Sequence, residues 1–389
     1  MRVLFITQRL PARSARGDQC RAFAHIRELS ARHRITSLSF SPAGSAERAA
    51  LQPYCEDIIV LPRSRWRAGL RVLAALRGPL PLQVALHAGL AQEFDLGPLR
   101  RSGFDLCHVQ LVRLAPLLDD FKPLAGVLDF VDALSLNMAR RARYDRGPAR
   151  WLAALEAPRL RALERELCNG PLNTVCSAAD ADAMGDVPWR PQLVRNGVDL
   201  DEFPFSSGQP RAEEIVFVGN LGYFPNVDAA CWFAAEVLPL LLSRRPQLRL
   251  RLVGARPAAA LRRLAAAQPN VELVGPVARV QPYLARAAAA IAPLRAGSGQ
   301  QFKLLEAMAL GTPVVSSRQS ADAMGAVDGE HLLVADDAAG MSAALLRLLD
   351  QPPLGQALAA QARRFVEAEF SWARSAQELE EMWKAAAEV

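Results

Sequence analysis

The chain has 389 residues, of which 51% are apolar and 22% charged, and its formal net charge is +6 at pH 7. These values are typical of a globular protein and exclude a mainly disordered or low-complexity chain. The length favours two domains, because single hydrophobic cores rarely extend beyond about 250 residues.

Strands and helices alternate along the first half of the chain. Its predicted strands are short, mostly apolar runs: "MRVLFIT", "RITSLSF", "EDIIVLP", "FDLCHVQ", "AGVLDFVD" and "LNTVCS". An amphipathic helix, "RGDQCRAFAHIRELSARH", separates the first two, and a long helix is predicted over residues 149–169. Strands joined by helices indicate a parallel α/β domain.

The second half restarts this alternation after a polar segment, residues 204–212. Its predicted strands are "EIVFVGNL", "LRLRLVG", "NVELVG", "AAIAPL" and "PVVSS", and its helices include 226–243, 257–267 and 279–288. We predict a first domain over 1–205, a second over 206–371, and a C-terminal helix, 372–389, that returns toward the first. Ligands of such sheets bind beyond the carboxyl ends of the strands, here in a cleft between the domains.

The location of the protein is predicted from its cysteines and its apolar runs. Six cysteines, at 20, 55, 107, 168, 176 and 231, show neither a CxxC pair nor zinc-ligand spacing, so we expect reduced thiols. No apolar run approaches the roughly 20 residues that span a bilayer. "VLFIT" fits a first strand better than a secretory segment, and we expect a cytoplasmic protein.

The stretch "LRAGSGQQFKLLEAMALGTPVVSS", residues 294–317, joins a glycine-rich turn to a helix. The groups expected to converge there on one anion, which a diphosphate would fit, are Arg295, Lys303 and the amides of Gly297, Ser298 and Gly299. A purely structural interpretation is also open. Ser298 with Gln301 is a capping-box pattern, and Lys303 with Glu306 has the spacing of a solvated ion pair.

Residues 194–318 resemble the nucleotide-sugar-binding half of retaining glycosyltransferases of family 4. The matching pieces, which include a late "FSW", are "VRNGVDLDEF", "FVGNLGYFPNVDAACWF", "LRLVG", "VELVGPV" and "APLRAGSGQQFKLLEAMALGTPVV". "NVDA" and "GSGQQFKLLEAMA" look closest to the branch associated with exopolysaccharide synthesis. The family has the GT-B fold of two facing Rossmann-like α/β domains, and the resemblance implies that fold here.

The resemblance also implies roles for residues of the second domain. The family's glutamate before "AMA" binds the ribose, which assigns Glu306 to the nucleotide, while a second glutamate of the family is replaced here by Ser298. The family's phosphate-binding arginine and lysine are replaced by Asn220 and Asn226. The expected site therefore consists of Lys303 as catalytic cation and of the donor-binding residues Gly219, Asn220, Asn226, Arg295, Gly297, Ser298, Gly299 and Glu306.

Two features bear on the reaction. Charge grows on the leaving β-phosphate during transfer, so a fixed lysine would lower the barrier without a metal. The one Asp-x-Asp, Asp180 to Asp182, follows Ser177 at a predicted helix start, where carboxylates are favourable anyway, so no metal is expected. The family implies retention of configuration, with a phosphate oxygen taking the acceptor proton.

The first domain offers fewer matches to the family. Gln110 aligns with the family's histidine near the reacting sugar, and His108 lies two residues earlier on the same strand face, so both are catalytic candidates. A histidine at a strand end is more often structural. Gly17 and Asp18 resemble the family's first loop, and Asp132 is placed either to orient the acceptor or to cap a helix.

Basic residues are concentrated in the first half, where residues 1–200 hold 28 Lys and Arg against 20 Asp and Glu. "RSRWRAGLRVLAALRG" places Arg63, Arg67 and Arg71 at helical spacing beside an apolar face that contains Trp66. Such a helix is either a solvated surface helix or a contact with anionic lipid. Nucleic acid is not expected, because stacking platforms and recognition motifs are lacking.

We therefore expect a metal-independent, retaining glycosyltransferase acting in surface polysaccharide synthesis. Its donor would be a nucleoside-diphosphate sugar, with UDP or GDP as the first guesses, its acceptor a glycan or lipid-linked, and no cofactor is expected. Its location would be the cytoplasm or the inner face of the cell membrane. The alternative is a non-catalytic GT-B homologue that binds a nucleotide or a partner enzyme; a dehydrogenase is disfavoured because G-x-G-x-x-G is missing.

Overall fold

The computed structural model describes residues 1–13, 16–42, 44–170, 172–206 and 212–388. The chain divides into two compact units. Unit 1 contains Met1–Ala139, Trp151–Asn196 and Trp372–Val389, and unit 2 contains Arg140–Arg150 and Gly197–Ser371. Residues 207–211 of the predicted polar linker lie outside the described residues.

Unit 1 is built on a parallel sheet. Its strands are β1 (Arg2–Thr7), β2 (Arg34–Ser39), β3 (Asp57–Val60), β4 (Leu106–Gln110), β5 (Ala125–Val131), β6 (Asn173–Val175) and β7 (Gln192–Leu193). They are ordered β3-β2-β1-β4-β5-β6-β7. The six strands predicted from apolar runs are confirmed; β7 has two residues, which is too short to give a periodic signal.

The helices of unit 1 connect these strands. They are α1 (Gly17–Leu29), α2 (Ser45–Leu51), α3 (Arg65–Ala75), α4 (Leu82–Ala85), α5 (Leu90–Glu93), α6 (Gly97–Arg100), α7 (Pro116–Asp120) and α10 (Ala178–Ala183), and the helices α8 (Leu134–Tyr144) and α9 (Gly147–Leu167) contain residues of both units. Ser177 is the N-cap of α10 and accepts a hydrogen bond from the Asp180 amide, as the sequence predicts.

Unit 2 contains a second parallel sheet. Its strands are β8 (Ala212–Val218), β9 (Arg249–Val253), β10 (Val271–Gly275), β11 (Ala287–Ala292), β12 (Val314–Ser316) and β13 (Leu333–Val334). Their order, β10-β9-β8-β11-β12-β13, repeats the order of the first six strands of unit 1. Both sheets therefore have the Rossmann strand order.

The helices of unit 2 cover both faces of its sheet. They are α11 (Phe224–Trp232), α12 (Leu238–Leu242), α13 (Ala259–Ala267), α14 (Gln281–Arg286), α15 (Phe302–Leu310), α16 (Arg318–Met324), α17 (Ala338–Asp350) and α18 (Pro352–Glu369), with a π-helical turn, Phe233–Val237, between α11 and α12. The predicted helix 279–288 is shorter than expected, because Ala287 already belongs to β11. Gly311 ends α15 with φ 85°, a conformation that favours glycine.

The last helix, α19 (Trp372–Ala387), belongs to unit 1. It packs beside α1 and contributes Leu379 and Trp383 to the core that Val3 and Phe5 of β1 also form. Trp383 is fully buried. Burial of an aromatic side chain of this size stabilises the packing of α19 by about a few kcal/mol.

Candidate functional site

The candidate site of unit 2 lies where the strand order of its sheet reverses. β8 and β11 are neighbours there, although β9 and β10 separate them in sequence. The loops beyond the carboxyl ends of two such strands leave a crevice in which ligands bind. The residues predicted to bind the donor lie in these loops or in the first two turns of α11 and α15.

Lys303, in the first turn of α15, connects the two loops. Its Nζ donates to Oδ1 of Asn226 at 2.8 Å and to Oε1 of Gln301 at 3.2 Å, and lies 5.3 Å from the centroid of the Phe217 ring. Nδ2 of Asn226 donates in turn to the carbonyl oxygen of Asn220 at 3.0 Å. The structure thus brings together three of the predicted residues, Lys303, Asn226 and Asn220.

Gly219 allows this cluster to lie against the end of β8. A Cβ atom at position 219 would be 2.9 Å from Nδ2 of Asn226 and 3.3 Å from Cε of Lys303. Gly254 approaches the same place from the end of β9, since a Cβ atom there would be 1.7 Å from the carbonyl oxygen of Gly219. A side chain at position 219 would displace Asn226, and one at position 254 would displace the backbone of Gly219.

The electrostatics of Lys303 suit an anionic ligand. Burial lowers the pKa of its ammonium group to about 8, and the nearby Glu306 acts in the opposite direction. Two of its three N–H donors reach Asn226 and Gln301, and the third has no protein partner within the described ranges. A bound phosphate would supply both the missing acceptor and the counter-charge.

Glu306 lies one turn after Lys303 and is half-buried. Within the part of the chain that the structure describes, its carboxylate has no hydrogen-bond partner. Burial raises the pKa of this carboxyl group to about 7; Glu202 acts in the same direction and Lys303 opposes it. A carboxylate without donors is matched to a ligand that brings hydroxyl groups, as a ribose does.

The glycine-rich loop before α15 is fixed through its carbonyl groups. Nη1 of Arg140, which belongs to unit 2, donates to the carbonyl oxygen of Gly297 at 2.6 Å. Nε2 of Gln301 donates to the carbonyl oxygens of Ser298 and Gly299, both at 3.3 Å. Because a trans peptide directs N–H and C=O to opposite sides, these bonds also fix the directions of the amides that follow.

The start of α15 differs from the capping-box interpretation. The helix begins at Phe302, and its N-cap is Gln301, without a side-chain cap bond. Ser298 therefore lies in the loop, three residues before the N-cap. The side chain of Gln301 instead links Lys303 to the loop carbonyls, a role that the sequence did not reveal.

Arg295 forms an ion pair within unit 2. Its guanidinium forms a bidentate ion pair with Asp228 of α11, at 2.6 Å and 3.0 Å, and lies over the rings of Trp232 and Tyr144. The pair uses Nε and Nη2, so only the remaining N–H groups of the guanidinium are available to a phosphate. Arg295 therefore connects the loop to α11, and Asp228, inside the quoted "NVDA", is the partner that sequence analysis missed.

His108 lies in the core of unit 1, which argues against the predicted contact with a sugar. Its side chain is fully buried, its ring centroid is 4.2 Å from that of Phe5, and Nε1 of Trp383 donates to its Nδ1 at 3.2 Å. Burial lowers the pKa of this imidazole to about 4. His108 is thus a neutral core histidine, covered by a helix that lies far away in sequence.

The other predicted residues of unit 1 belong to different secondary-structure elements and turns. Gln110 ends β4 with a buried side chain. Gly17 is the first residue of α1, and Asp18 pairs with Arg9 at 3.0 Å. Asp132 is half-buried in the turn after β5. The carboxylate that is central to this sheet edge is Asp129, which pairs with Arg21 at 2.7 Å inside the protein.

Arg63, Arg67 and Arg71, predicted at helical spacing on one helix, do not all lie on α3. Ser64 is the N-cap of α3, so Arg63 precedes the helix, and Arg71 pairs with Glu93 at 3.3 Å.

Among the described helices, none is both long enough and apolar enough to cross a bilayer. The described side chains likewise contain no group of three or more His, Cys, Asp or Glu that could hold a metal ion.

Comparison with protein families identifies the region around this site. Residues 212–351 match the model described as "Glycosyl transferases group 1". The matched residues all belong to unit 2. The matched region contains Lys303, its contacts Asn220, Asn226 and Gln301, and Glu306.

Two curated relatives match part of the chain. Glycogen synthase of Mycobacterium tuberculosis is 28% identical over 246 residues, 57% of this chain and 56% of the relative. Phosphatidyl-myo-inositol mannosyltransferase of Mycolicibacterium smegmatis is 32% identical over 188 residues, 46% of this chain and 48% of the relative. The chain spans about half the length of the curated relatives it matches.

Solved structures show the fold of the whole chain. HepE of Anabaena, in complex with UDP and glucose, has a TM-score of 0.69 at 14% identity, covering 98% of this chain and 99% of HepE. Together with the two Rossmann strand orders, this likeness confirms the predicted GT-B fold class.

Proposed function

We propose that the protein is a retaining, metal-independent glycosyltransferase that uses a nucleoside-diphosphate sugar. One observation carries the proposal: Lys303 and Glu306 lie one turn apart on α15, and among the described residues the lysine keeps an unused donor and the carboxylate has no hydrogen-bond partner. The family match over 212–351 supports the same activity. Glu306 would bind the ribose hydroxyls and Lys303 the diphosphate.

Lys303 accounts for catalysis without a metal. As the sugar leaves, charge accumulates on the β-phosphate, and the ammonium group is already fixed by Asn226 and Gln301 before the reaction begins. Such preorganised charge stabilises a transition state without reorganisation. The departing phosphate oxygen would take the acceptor proton, so no side-chain base is required for retention.

The acceptor is proposed to be a glycan or lipid-linked molecule of surface polysaccharide synthesis. Two exposed apolar stripes of unit 1 support a position at an anionic membrane. They consist of Trp66, Leu70 and Leu73 on α3 and of Trp151, Leu152 and Leu155 on α9. Arg159, one turn after Leu155, donates to the carbonyl oxygens of Ala75 and Leu76 at the end of α3, which brings the stripes together.

Charge next to these stripes favours anionic lipid over another apolar surface. Arg65, Arg67 and Arg77 are exposed, and no acidic residue occurs between Asp57 and Glu93. Tryptophan and leucine side chains beside arginines are typical of helices that lie in the headgroup region. We therefore propose peripheral membrane binding at the cytoplasmic face.

A donor panel tests the proposed activity. The full chain would be heated with UDP-glucose, GDP-mannose, ADP-glucose and dTDP-glucose, because a ligand that binds only the folded state raises the melting temperature. We expect one nucleotide class, with UDP as first choice, to give a clear shift and slow hydrolysis of its sugar. Shifts by none of the four would contradict the proposal.

A further inference from the structure

The carboxyl edge of the unit 1 sheet carries three arginines that the donor site does not use. Arg9 follows β1, Arg63 follows β3, and Arg113 follows β4. In the strand order β3-β2-β1-β4, these loops are neighbours at one edge. This edge includes the reversal point between β1 and β4, where sheets of this order bind ligands.

Hydrogen bonds hold the loops of this arginine cluster, Arg9, Arg63 and Arg113, in place. Oγ of Ser41 donates to the carbonyl oxygen of Gln8 at 2.9 Å, which joins the β1 and β2 loops. The Arg63 amide donates to the carbonyl oxygen of Phe40 at 3.3 Å, which joins the β2 and β3 loops. Three neighbouring strand ends are thus connected by one side-chain and one backbone hydrogen bond.

His87 is linked to the same cluster through Gln83. Nε and Nη2 of Arg113 donate to Oε1 of Gln83 at 3.1 Å and 2.8 Å, and Nδ1 of His87 donates to the Gln83 carbonyl oxygen at 3.2 Å. The buried carboxylate of Glu156 accepts the amides of Leu82 and Gln83, which fixes the start of this segment. His87 and Arg113 are therefore rigidly placed.

Two polar groups at this edge lack counterparts. His87 is 3% exposed, and within the described residues its Nε2 has no hydrogen-bond partner. Among those residues Arg63 forms no ion pair; Glu93, the carboxylate that acts on it electrostatically, pairs with Arg71 at 3.3 Å. Burial, followed by Arg63, Arg113 and Arg9, lowers the pKa of His87 to about 4. Two carboxylates lie at the same edge: Asp18 pairs with Arg9 at 3.0 Å, and Glu93 accepts a hydrogen bond from the Ser64 amide.

Backbone strain occurs at the same edge. Leu111, two residues before Arg113, has φ 78°, in the region that is costly for residues other than glycine. Such a conformation costs about 1–3 kcal/mol and is kept mostly where function requires it. It turns the chain directly after β4 into the loop that carries Arg113.

We propose that the arginine cluster and His87 form a binding site for an anionic group, a phosphate or a carboxylate, of the acceptor. This inference rests on the proposed transferase function, since the donor is assigned to unit 2. The anion supplies the charge that Arg63 lacks and a partner for Nε2 of His87 when the imidazole is protonated. The acceptor is then a phosphate-linked lipid or an acidic glycan rather than a neutral sugar.

The test follows the imidazole signal of His87 by NMR in the full chain, with the signal assigned through His87→Gln. Inorganic phosphate is added at constant ionic strength over a range of pH, and acetate is added in a parallel series. An anion among these groups raises the pKa of His87, and we expect a rise of about one pH unit on saturation. An effect of phosphate alone indicates a phosphorylated acceptor, and an effect of acetate indicates a carboxylate.

Arg63→Gln should raise the anion concentration needed for half-saturation roughly tenfold, because it removes a charge-assisted bond. Arg65→Gln, an exposed neighbour at the start of α3, is the matched control and should bind as the parent does. A His87 pKa that neither anion changes, or an equal loss in both variants, overturns the inference. Because the readout is binding in unit 1, sugar transfer that persists beside a negative result leaves the proposed function intact.

Discussion

Unit 1 and unit 2 share one strand order, but the carboxylates at their sheet edges are partnered in opposite ways. In unit 1, Asp129 is fully buried and accepts hydrogen bonds from Arg21, Thr174 and the Val131 amide. In unit 2, Glu306 is half-buried and has no donor among the described residues. A fully bonded carboxylate stabilises the fold, whereas an unbonded one is available to a ligand.

The same difference separates the cations of the two edges. Arg21 satisfies Asp129 and Asn196 inside unit 1, while Lys303 keeps one donor in reserve and has a lowered pKa. Identical sheet geometry therefore does not give identical function. A charged group without a protein partner is the better candidate for a functional site.

Removing the charge of Lys303 should have the largest effect. Lys303→Ala is expected to lower kcat by roughly 10²- to 10³-fold at saturating donor, the scale of losing one preorganised donor to a developing oxyanion. Arg295→Ala is the comparison, because its guanidinium is engaged by Asp228, and its kcat should stay within about tenfold of the parent. Equal losses in the two variants would erase the distinction between reserved and engaged cations.

Activity should be confined to a narrow range of pH. With pKa values of about 7 for Glu306 and about 8 for Lys303, the ionised carboxylate and the charged ammonium group coexist mainly between these values. We expect kcat/KM to rise through pH 7 and fall through pH 8, since this parameter reports the free enzyme. A profile that is flat from pH 6 to 9 would argue against both assignments.

Glu306→Gln should weaken binding and stabilise the fold. Loss of two charge-assisted bonds to ribose costs about 1 to 3 kcal/mol of donor affinity, and discrimination against 2′-deoxyribose nucleotides should disappear. In the folded parent the pKa of Glu306 lies above its ordinary value of 4.5. The parent's free energy of unfolding is therefore undiminished below pH 4.5 and decreases as the pH rises through 7. Calorimetry should therefore give the variant a higher Tm than the parent at pH 8 but not near pH 5; the reverse order would be inconsistent with a donor-free carboxylate.

Substitutions in the exposed apolar stripes of unit 1 should have the smallest effect, a loss of membrane binding. Trp66→Ser with Leu73→Ser is expected to reduce sedimentation with phosphatidylglycerol vesicles about tenfold, because apolar area is lost from the headgroup region. Trp189→Ser, an exposed tryptophan outside both stripes, is the control. Unchanged sedimentation of the double variant would remove the stripes as the binding face.

The sequence predicted those parts of the site that depend on neighbouring residues along the chain. Lys303 and Glu306 share one helix, so their spacing alone places them together, and apolar runs were enough to find the longer strands. Arg295 with Asp228 and His108 with Trp383 could not be foreseen, because the partners lie 67 and 275 residues apart. A single sequence indicates which side chains are charged, but not which distant group neutralises or covers them.

The most direct test of the account is hydrogen exchange of the full chain with and without UDP. A diphosphate held by Lys303 and a ribose held by Glu306 should slow exchange of the amides in 219–226 and 297–306, because these segments form the crevice beyond β8 and β11. The unit 1 core around Asp129 should be unchanged. Protection outside these two segments, with none inside them, would contradict a nucleotide site on α15.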